Sequence, residues 1–233
     1  MEKSDRDPKE TLRELIEGNS NYVKKYSSEF EQLKLKQSPK VTLLTCCDSR
    51  VPQNLFDTVG LNEIFTIRNI GNQFHNSEGS VKYPLLHLKT PLLIVLGHTG
   101  CGAIKAALSD YREEDKAIQR EVIGLVDSIR TAERDREIMK NSEENQKLAI
   151  YAQTNVDQQI NQIIEEDKLK GKVKNQELYV VGMIFDIHCV YGSESAQAYI
   201  TNINGITDVS KLKKHTLVGK FGKEIKELKI KRV

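Results

Sequence analysis

The sequence predicts an α/β fold: a central, mostly parallel β-sheet with flanking helices, in one domain with an N-terminal helical arm. Three observations carry this. Short β-branched apolar runs recur at 41–45, 64–67, 92–96 and 178–185. Stretches with helical periodicity separate them, as crossovers between parallel strands require. Two of the runs end in motifs dense with Cys, His, Asp, Arg and Gly, and strand ends are where open α/β sheets gather functional groups.

The elements follow in order. Asp7-Pro8 reads as an N-cap followed by Pro at the first helical position. Leu12, Leu15, Ile16, Tyr22 and Val23 recur at helical spacing, but Gly18-Asn19-Ser20 weakens the middle, so two short helices or one broken helix are expected up to Leu35. Gln37-Ser38-Pro39 ends the segment. The first strand covers 41–45, and a short helical stretch 53–59 follows Pro52. The second strand, 64–67, closes at Arg68-Asn69. A helix is expected over 80–89, with Val81, Leu85 and Leu88 on one face and Pro84 as a local objection. The third strand, 92–96, runs into Gly97-His98-Thr99-Gly100-Cys101-Gly102, and a helix continues to Leu108. A long polar helical stretch spans 113–170, broken near Asn141-Ser142, with Ala149, Val156, Ile160, Ile163 and Ile164 as its buried stripe. The run at 178–185 is the last strong β signal. In the Lys-rich stretch 211–233, Phe221, Ile225 and Leu228 recur at helical spacing and suggest a packed face.

Composition sets limits. The chain is 38% hydrophobic and 29% charged, and 35 Lys and Arg against 33 Asp and Glu leave a net charge of +2. No nucleic-acid partner follows from that balance. No apolar run is long enough to cross a membrane. The charged N-terminus, with no apolar segment behind it, argues against a secretory signal, so a cytoplasmic location is expected. In that setting Cys46, Cys47, Cys101 and Cys189 do not read as a disulfide framework, and a metal site is the better account of at least two of them. Cys47 and Cys189 are expected to be packed thiols. His75, His87, His188 and His215 have no partner at ligand spacing.

His98 and Cys101 can present an imidazole and a thiolate to one ion from a single turn. Zinc takes Cys sulfur at about 2.3 Å and His nitrogen at about 2.0–2.1 Å, and a third ligand can come from Cys46 or Cys47. Strand alternation puts Cys46 and Asp48 on one side and Cys47 on the other. Three ligands leave a fourth position for water or substrate. Asp48 could close that position, or it could pair with Arg50, which would hold it ionised. The closed case would be a non-catalytic zinc-binding module.

Cys-x-Asp-Ser-Arg followed by Gly-His-x-x-Cys-Gly, each at a strand end, resembles the β-class carbonic anhydrases. The resemblance runs from about Leu12 to Ile187 and takes in Arg68-Asn69, Tyr83, Asn155-Val156, Gln159, Gly182 and Asp186. It implies one domain over 1–233, with a helical arm at 1–36, a zinc-binding α/β core at 40–190 and an extension at 191–233. It implies zinc-dependent reversible hydration of CO2 to bicarbonate and a proton, by zinc-bound hydroxide attacking CO2. Cys46, His98 and Cys101 would be the ligands, and Asp48 and Arg50 the catalytic dyad. Gln37, Phe65 and Tyr83 fall where plant-type members line the substrate pocket. A second subgroup inhibits itself with bicarbonate at a site needing a Trp and a Tyr. Leu43 and Phe185 stand at the matching positions here, so the chain resembles the plant-type subgroup. The resemblance also implies a homodimer or homotetramer. Hydrolysis of COS or CS2 on the same scaffold is the alternative activity, and Ser49 favours CO2.

Overall fold

The computed structural model describes residues 7–52, 54–56 and 61–233, without the side chains of 136–138. It divides into two compact units, Met1–Ser38 and Pro39–Val233. The helical stretch expected at 53–59 lies largely outside the described residues.

The first unit holds α1 (Pro8–Leu33), capped by the Asp7 carboxylate, which accepts from the Lys9 N–H at 2.9 Å. The helix is unbroken, against the expectation of two pieces. Gly, Asn and Ser each cost about 0.5–1 kcal/mol in a helix interior relative to Ala. The helix carries that cost with local support. Arg13 pairs with Glu10 and Glu17 one turn to either side, and the Ser20 hydroxyl donates to the Ile16 carbonyl.

In the second unit one sheet is built from β1 (Val41–Cys46), β2 (Ile64–Asn69), β3 (Leu92–His98), β4 (Tyr179–Asp186) and β5 (Gln197–Ile203), in the order β2-β1-β3-β4-β5. The first four are parallel, and β5 runs antiparallel to β4. From β1 the chain goes to β2 on one side and then crosses over to β3 on the other. The gap beyond the carboxyl ends of β1 and β3 is therefore a topological switch point, where open α/β sheets bind ligands. Register sets Thr45 opposite Leu96, so Cys46 emerges beside the His98 turn.

α6 (Glu144–Glu165) covers one sheet face. Its Ala152, Val156, Ile160 and Ile163 pack with Leu44, Leu93, Val95, Val180 and Ile184. On the other face Leu43, Ile94, Leu96 and Phe185 form a separate cluster. α3 (Gly102–Leu108) and α4 (Lys116–Ala132) join α6 through a third cluster that includes Cys46, Cys101, Ile104 and Leu125.

Several expectations need correction. The helix expected over 80–89 is α2 (Glu78–Tyr83), which passes into a π-helical turn at Pro84–Leu88 and ends in left-handed Lys89. Pro84 has no N–H to donate, so the ladder widens rather than breaks. The polar stretch breaks near Asn141 as expected, and also at 133–135 and at Glu166, giving α5 (Arg136–Asn141) and α7 (Asp167–Lys174). The Glu166 side chain accepts from the Lys168 N–H at 2.8 Å and starts α7. β5 was not anticipated. Its buried Thr201 and Asn202 mask the apolar alternation. Past α8 (Val209–Lys214), Phe221, Ile225 and Leu228 are exposed rather than packed, the last two on α9 (Lys223–Lys229). Leu212, Val218 and Ile230 make the buried contacts instead.

α6 approaches the sheet closely because Gly182 lacks a side chain. A Cβ there would lie 2.7 Å from Ile160 Cδ1, 2.8 Å from Val156 Cγ1 and 2.9 Å from Asn202 Cβ. G182A is therefore expected to destabilise the fold by about 1–3 kcal/mol through overpacking. Urea unfolding should give a lower midpoint at unchanged slope.

Candidate metal centre

β1 delivers Cys46 as its last residue, β3 delivers His98 as its last, and Cys101 caps α3 three residues later. Gly100, at φ +66, gives the turn between the two ligands its left-handed step. The ligand atoms of Cys46, His98 and Cys101 all lie within 4.8 Å of one another, and all three residues are buried. The two sulfurs are 3.9 Å apart. Two thiolates on tetrahedral zinc would stand about 3.8 Å apart, given bonds of about 2.3 Å.

The imidazole is prepared for a ligand. His98 Nδ1 contacts the Thr99 carbonyl at 3.1 Å, which sets the proton on Nδ1. His98 Nε2 is then a buried lone pair with no hydrogen-bond partner. A polar atom left so costs free energy unless something binds it. A cation between Nε2 and the two sulfurs satisfies all three groups, so the residues fit a zinc ion.

The contact between the two thiols shifts them in opposite directions. The hydrogen bond from Cys101 holds the Cys46 thiol far below its ordinary range, against the effect of burial. The Gly71 and Asp48 amides add to the lowering. The same hydrogen bond, then burial, pushes the Cys101 thiol up. The backbone N–H groups of Ile104 and Ala103 oppose that rise, although neither closes a full capping bond.

Asp48 stands beside this cluster and is turned to Arg50. Arg50 Nε donates to Oδ1 at 2.9 Å and Nη2 to Oδ2 at 2.7 Å, a bidentate fork, and the Arg50 N–H adds a bond to Oδ1 at 2.9 Å. The guanidinium holds the carboxyl well below the usual carboxylate range, despite partial burial. Oδ2 still lies 3.7 Å from His98 Nε2. Arg50 Nη2 donates also to the Gly100 carbonyl at 3.0 Å, and Arg68 Nη2 donates to the Asp48 carbonyl at 2.9 Å. Arg68 thus holds the loop backbone.

The other expected site residues are placed differently. Cys47 is exposed, with its N–H on the Asn69 carbonyl at 3.0 Å, and belongs neither to the cluster nor to the core. Cys189 is exposed too, at φ +56, and is not a packed thiol. Phe65 and Tyr83 face each other with ring centroids 6.1 Å apart, and Tyr83 is 47% exposed. Phe65 precedes Asn69, the register partner of Cys46, by four residues, or about 13 Å along the strand. The chain therefore does not bring this aromatic pair to its own cluster. Gln37 is exposed and belongs to the first unit. Sequence reasoning missed Thr99, whose buried hydroxyl ties the His98 turn to Asp186 at 3.3 Å and to the Ile187 N–H at 2.8 Å. His188, expected as an exposed or hydrogen-bonded histidine, is hydrogen-bonded, with Nδ1 3.0 Å from Thr99 Oγ1.

The chain is similar to known carbonic anhydrases. The family described as carbonic anhydrase matches residues 41–191. The carbonic anhydrase of Saccharomyces cerevisiae is 30% identical over 158 residues, covering 65% of this chain and 71% of the relative. That of Synechococcus elongatus is 28% identical over 192 residues, covering 76% and 68%. Among solved structures, a tetrameric β-carbonic anhydrase of Sordaria macrospora superposes with a TM-score of 0.71 at 23% identity, over 82% of this chain and 96% of that one. A Coccomyxa β-carbonic anhydrase in complex with acetazolamide gives 0.69 at 19% identity, over 89% and 91%.

Two predictions follow from the ligand geometry. C47S should retain about one zinc per chain, whereas C46S and C101S should lose stoichiometric binding, read by metal analysis after dialysis. Because the Cys46 thiol is held low and the Cys101 thiol is pushed up, zinc binding near neutral pH should release about one proton per ion. Calorimetry in buffers of different ionisation enthalpy measures that number, and a release near two would contradict the low-lying Cys46 thiol. The matched span, the sheet order and the strand-end cluster together establish that this chain is a β-class member of the carbonic anhydrase family, a family of lyases.

Proposed function

We propose that the chain catalyses reversible hydration of CO2 to bicarbonate and a proton, with zinc held by Cys46, His98 and Cys101. The observation that carries this is the unpartnered Nε2 of buried His98, facing two thiols while Asp48 is turned away to Arg50. When bound, the ion acts as a Lewis acid that makes water acidic enough to be a nucleophile near neutral pH. Arg50 keeps Asp48 ionised and engages both its oxygens beside the ligand set, which leaves one position for solvent or substrate. Asp48 accepts the hydrogen bond of the nucleophile and aims its lone pair at the carbon of CO2. Arg50 and the Gly100 carbonyl keep that carboxylate from rotating.

Asp48 stays ionised through the physiological range, because its pKa is lowered rather than raised. The pH dependence of turnover therefore comes from the nucleophile, and activity rises toward alkaline pH. A closed, non-catalytic module would need Asp48 on the metal, and its fork on Arg50 weighs against that.

Gln37, Phe65 and Tyr83 belong to the substrate pocket in this reading. The separation of Phe65 from Cys46 along the strands fits an assembly in which that aromatic pair serves the site of a second copy. The tetrameric Sordaria relative supports an oligomer. Leu43 and Phe185, both buried in one apolar cluster, support the plant-type subgroup, without the bicarbonate switch. No helix among the described residues is long and apolar enough to cross a membrane. A cytoplasmic setting fits ligation by Cys46 and Cys101, which needs them reduced.

Stopped-flow assay of the zinc-loaded protein should show CO2 hydration well above buffer, faster at pH 9 than at pH 7. COS and CS2 should turn over more slowly. D48N should cost about 100-fold or more in kcat while retaining zinc. No rate above buffer would overturn the assignment.

A further inference from the structure

The turn between His98 and Cys101 carries a second constraint, from the other side of the sheet edge. The His188 ring abuts Gly100, with Cε1 nearest. A Cβ at position 100 would sit 2.3 Å from His188 Cε1, 3.0 Å from Nε2 and 3.1 Å from Nδ1. The imidazole therefore occupies the volume that a side chain at 100 would need. His188 Nδ1 is 3.0 Å from Thr99 Oγ1. Thr99 Oγ1 in turn contacts Asp186 Oδ1 at 3.3 Å and accepts from the Ile187 N–H at 2.8 Å. Asp186 is fully buried and accepts from the His188 N–H at 3.2 Å and the Tyr191 N–H at 2.7 Å. The ring is thus clamped through Nδ1 by a buried hydroxyl and set with Cε1 where a Gly100 side chain would stand.

That peptide is the one whose carbonyl accepts from Arg50 Nη2 at 3.0 Å. The same Nη2 donates to Asp48 Oδ2 at 2.7 Å, and Oδ2 lies 3.7 Å from His98 Nε2. Arg50 is otherwise half in solvent, with 46% of its side chain exposed. Beyond its fork on Asp48, the Gly100 carbonyl is the anchor that ties it to the ligand turn.

We propose that His188 is a positioning residue for the Asp48–Arg50 pair. It acts through Gly100, whose absent side chain it replaces, and holds that carbonyl where it keeps Arg50 and Asp48 off the metal. The proposal rests on the reading of Asp48 and Arg50 given above. It adds a residue that touches neither the ligands nor the substrate, and a glycine whose place depends on a neighbour far along the chain.

The test is a double-variant cycle of H188A and G100A, with zinc content, CO2 hydration and the visible spectrum of the cobalt-substituted protein read on each. H188A should keep about one metal per chain and lower kcat about tenfold, since small misplacements of a reacting group are costly. Its cobalt d–d bands should shift as Asp48 gains access to the metal. G100A should be more damaging in the native background than in H188A, where the ring that it would strike is gone. A native cobalt spectrum and native kcat in H188A would overturn the proposal. So would an equal cost of G100A in both backgrounds. Should G100A fail to fold, the H188A spectrum decides alone. The cobalt spectra do not depend on turnover, so they test His188 even if the native protein proves inactive toward CO2, a result that would strike only the functional reading.

Discussion

The structure depends on the parallel pairing of β1 with β3. Their register sets Thr45 against Leu96, so both strands end together and their next residues share one edge of the sheet. Parallel neighbours cannot be joined by a short turn. The chain must therefore leave β1, build β2 on the far side and return by helical crossover before it can supply His98 and Cys101. A site split so widely in sequence is brought together by backbone hydrogen bonds and by the apolar cover that α6 lays over Leu44, Leu93 and Val95. A slip of one residue in either strand would turn its side chains to the opposite face. Cys47 would then replace Cys46 beside the His98 turn.

Around that edge the polar groups are arranged so that each limits the freedom of the next. Thr99 fixes the His98 turn to Asp186, and the Gly100 carbonyl holds Arg50, which forks Asp48. Arg68, at the end of β2, ties down the Asp48 carbonyl. The buried imidazole nitrogen and the pair of thiols are left without a partner that satisfies all of them. That deficit is the physical argument for a cation, and it is independent of any resemblance. The orientation of Asp48 toward Arg50 distinguishes a site with a free coordination position from one that is closed.

Much of this was legible in the sequence, for identifiable reasons. Four strands announced themselves through β-branched runs; β1, β3 and β4 do so because parallel strands buried on both faces leave little room for polar residues, while the edge strand β2 is only half-buried. β5 was not read, because an antiparallel edge strand with buried Thr201 and Asn202 lacks that signature. The unbroken α1 was not read either, since three weak helix formers outweighed, on paper, the ion pairs around Arg13 that offset them. The apolar spacing of Phe221, Ile225 and Leu228 is real, yet those residues are exposed in the chain and the burial falls on Leu212, Val218 and Ile230. At the site, spacing singled out His98 and Cys101 and left Cys46 and Cys47 open; the resemblance chose Cys46, and the fold brings Cys46 to His98 and Cys101 and Asp48 to Arg50. Spacing could not find the role of His188, whose partner is a glycine and which fills space. Nor could it show that Phe65 and Tyr83 sit beside each other but away from the cluster of their own chain.

The central claim is a zinc site with Cys46, His98 and Cys101 as its protein ligands and Asp48 held back by Arg50. A crystal structure of the zinc-loaded protein at neutral pH tests it most directly. The expected result is a tetrahedral ion with two sulfurs at about 2.3 Å, one nitrogen at about 2.0–2.1 Å and a solvent oxygen as the fourth ligand. Asp48 should keep both hydrogen bonds to Arg50. An ion ligated by Asp48 with Arg50 released, or one that recruits Cys47 in place of Cys46, would contradict the account.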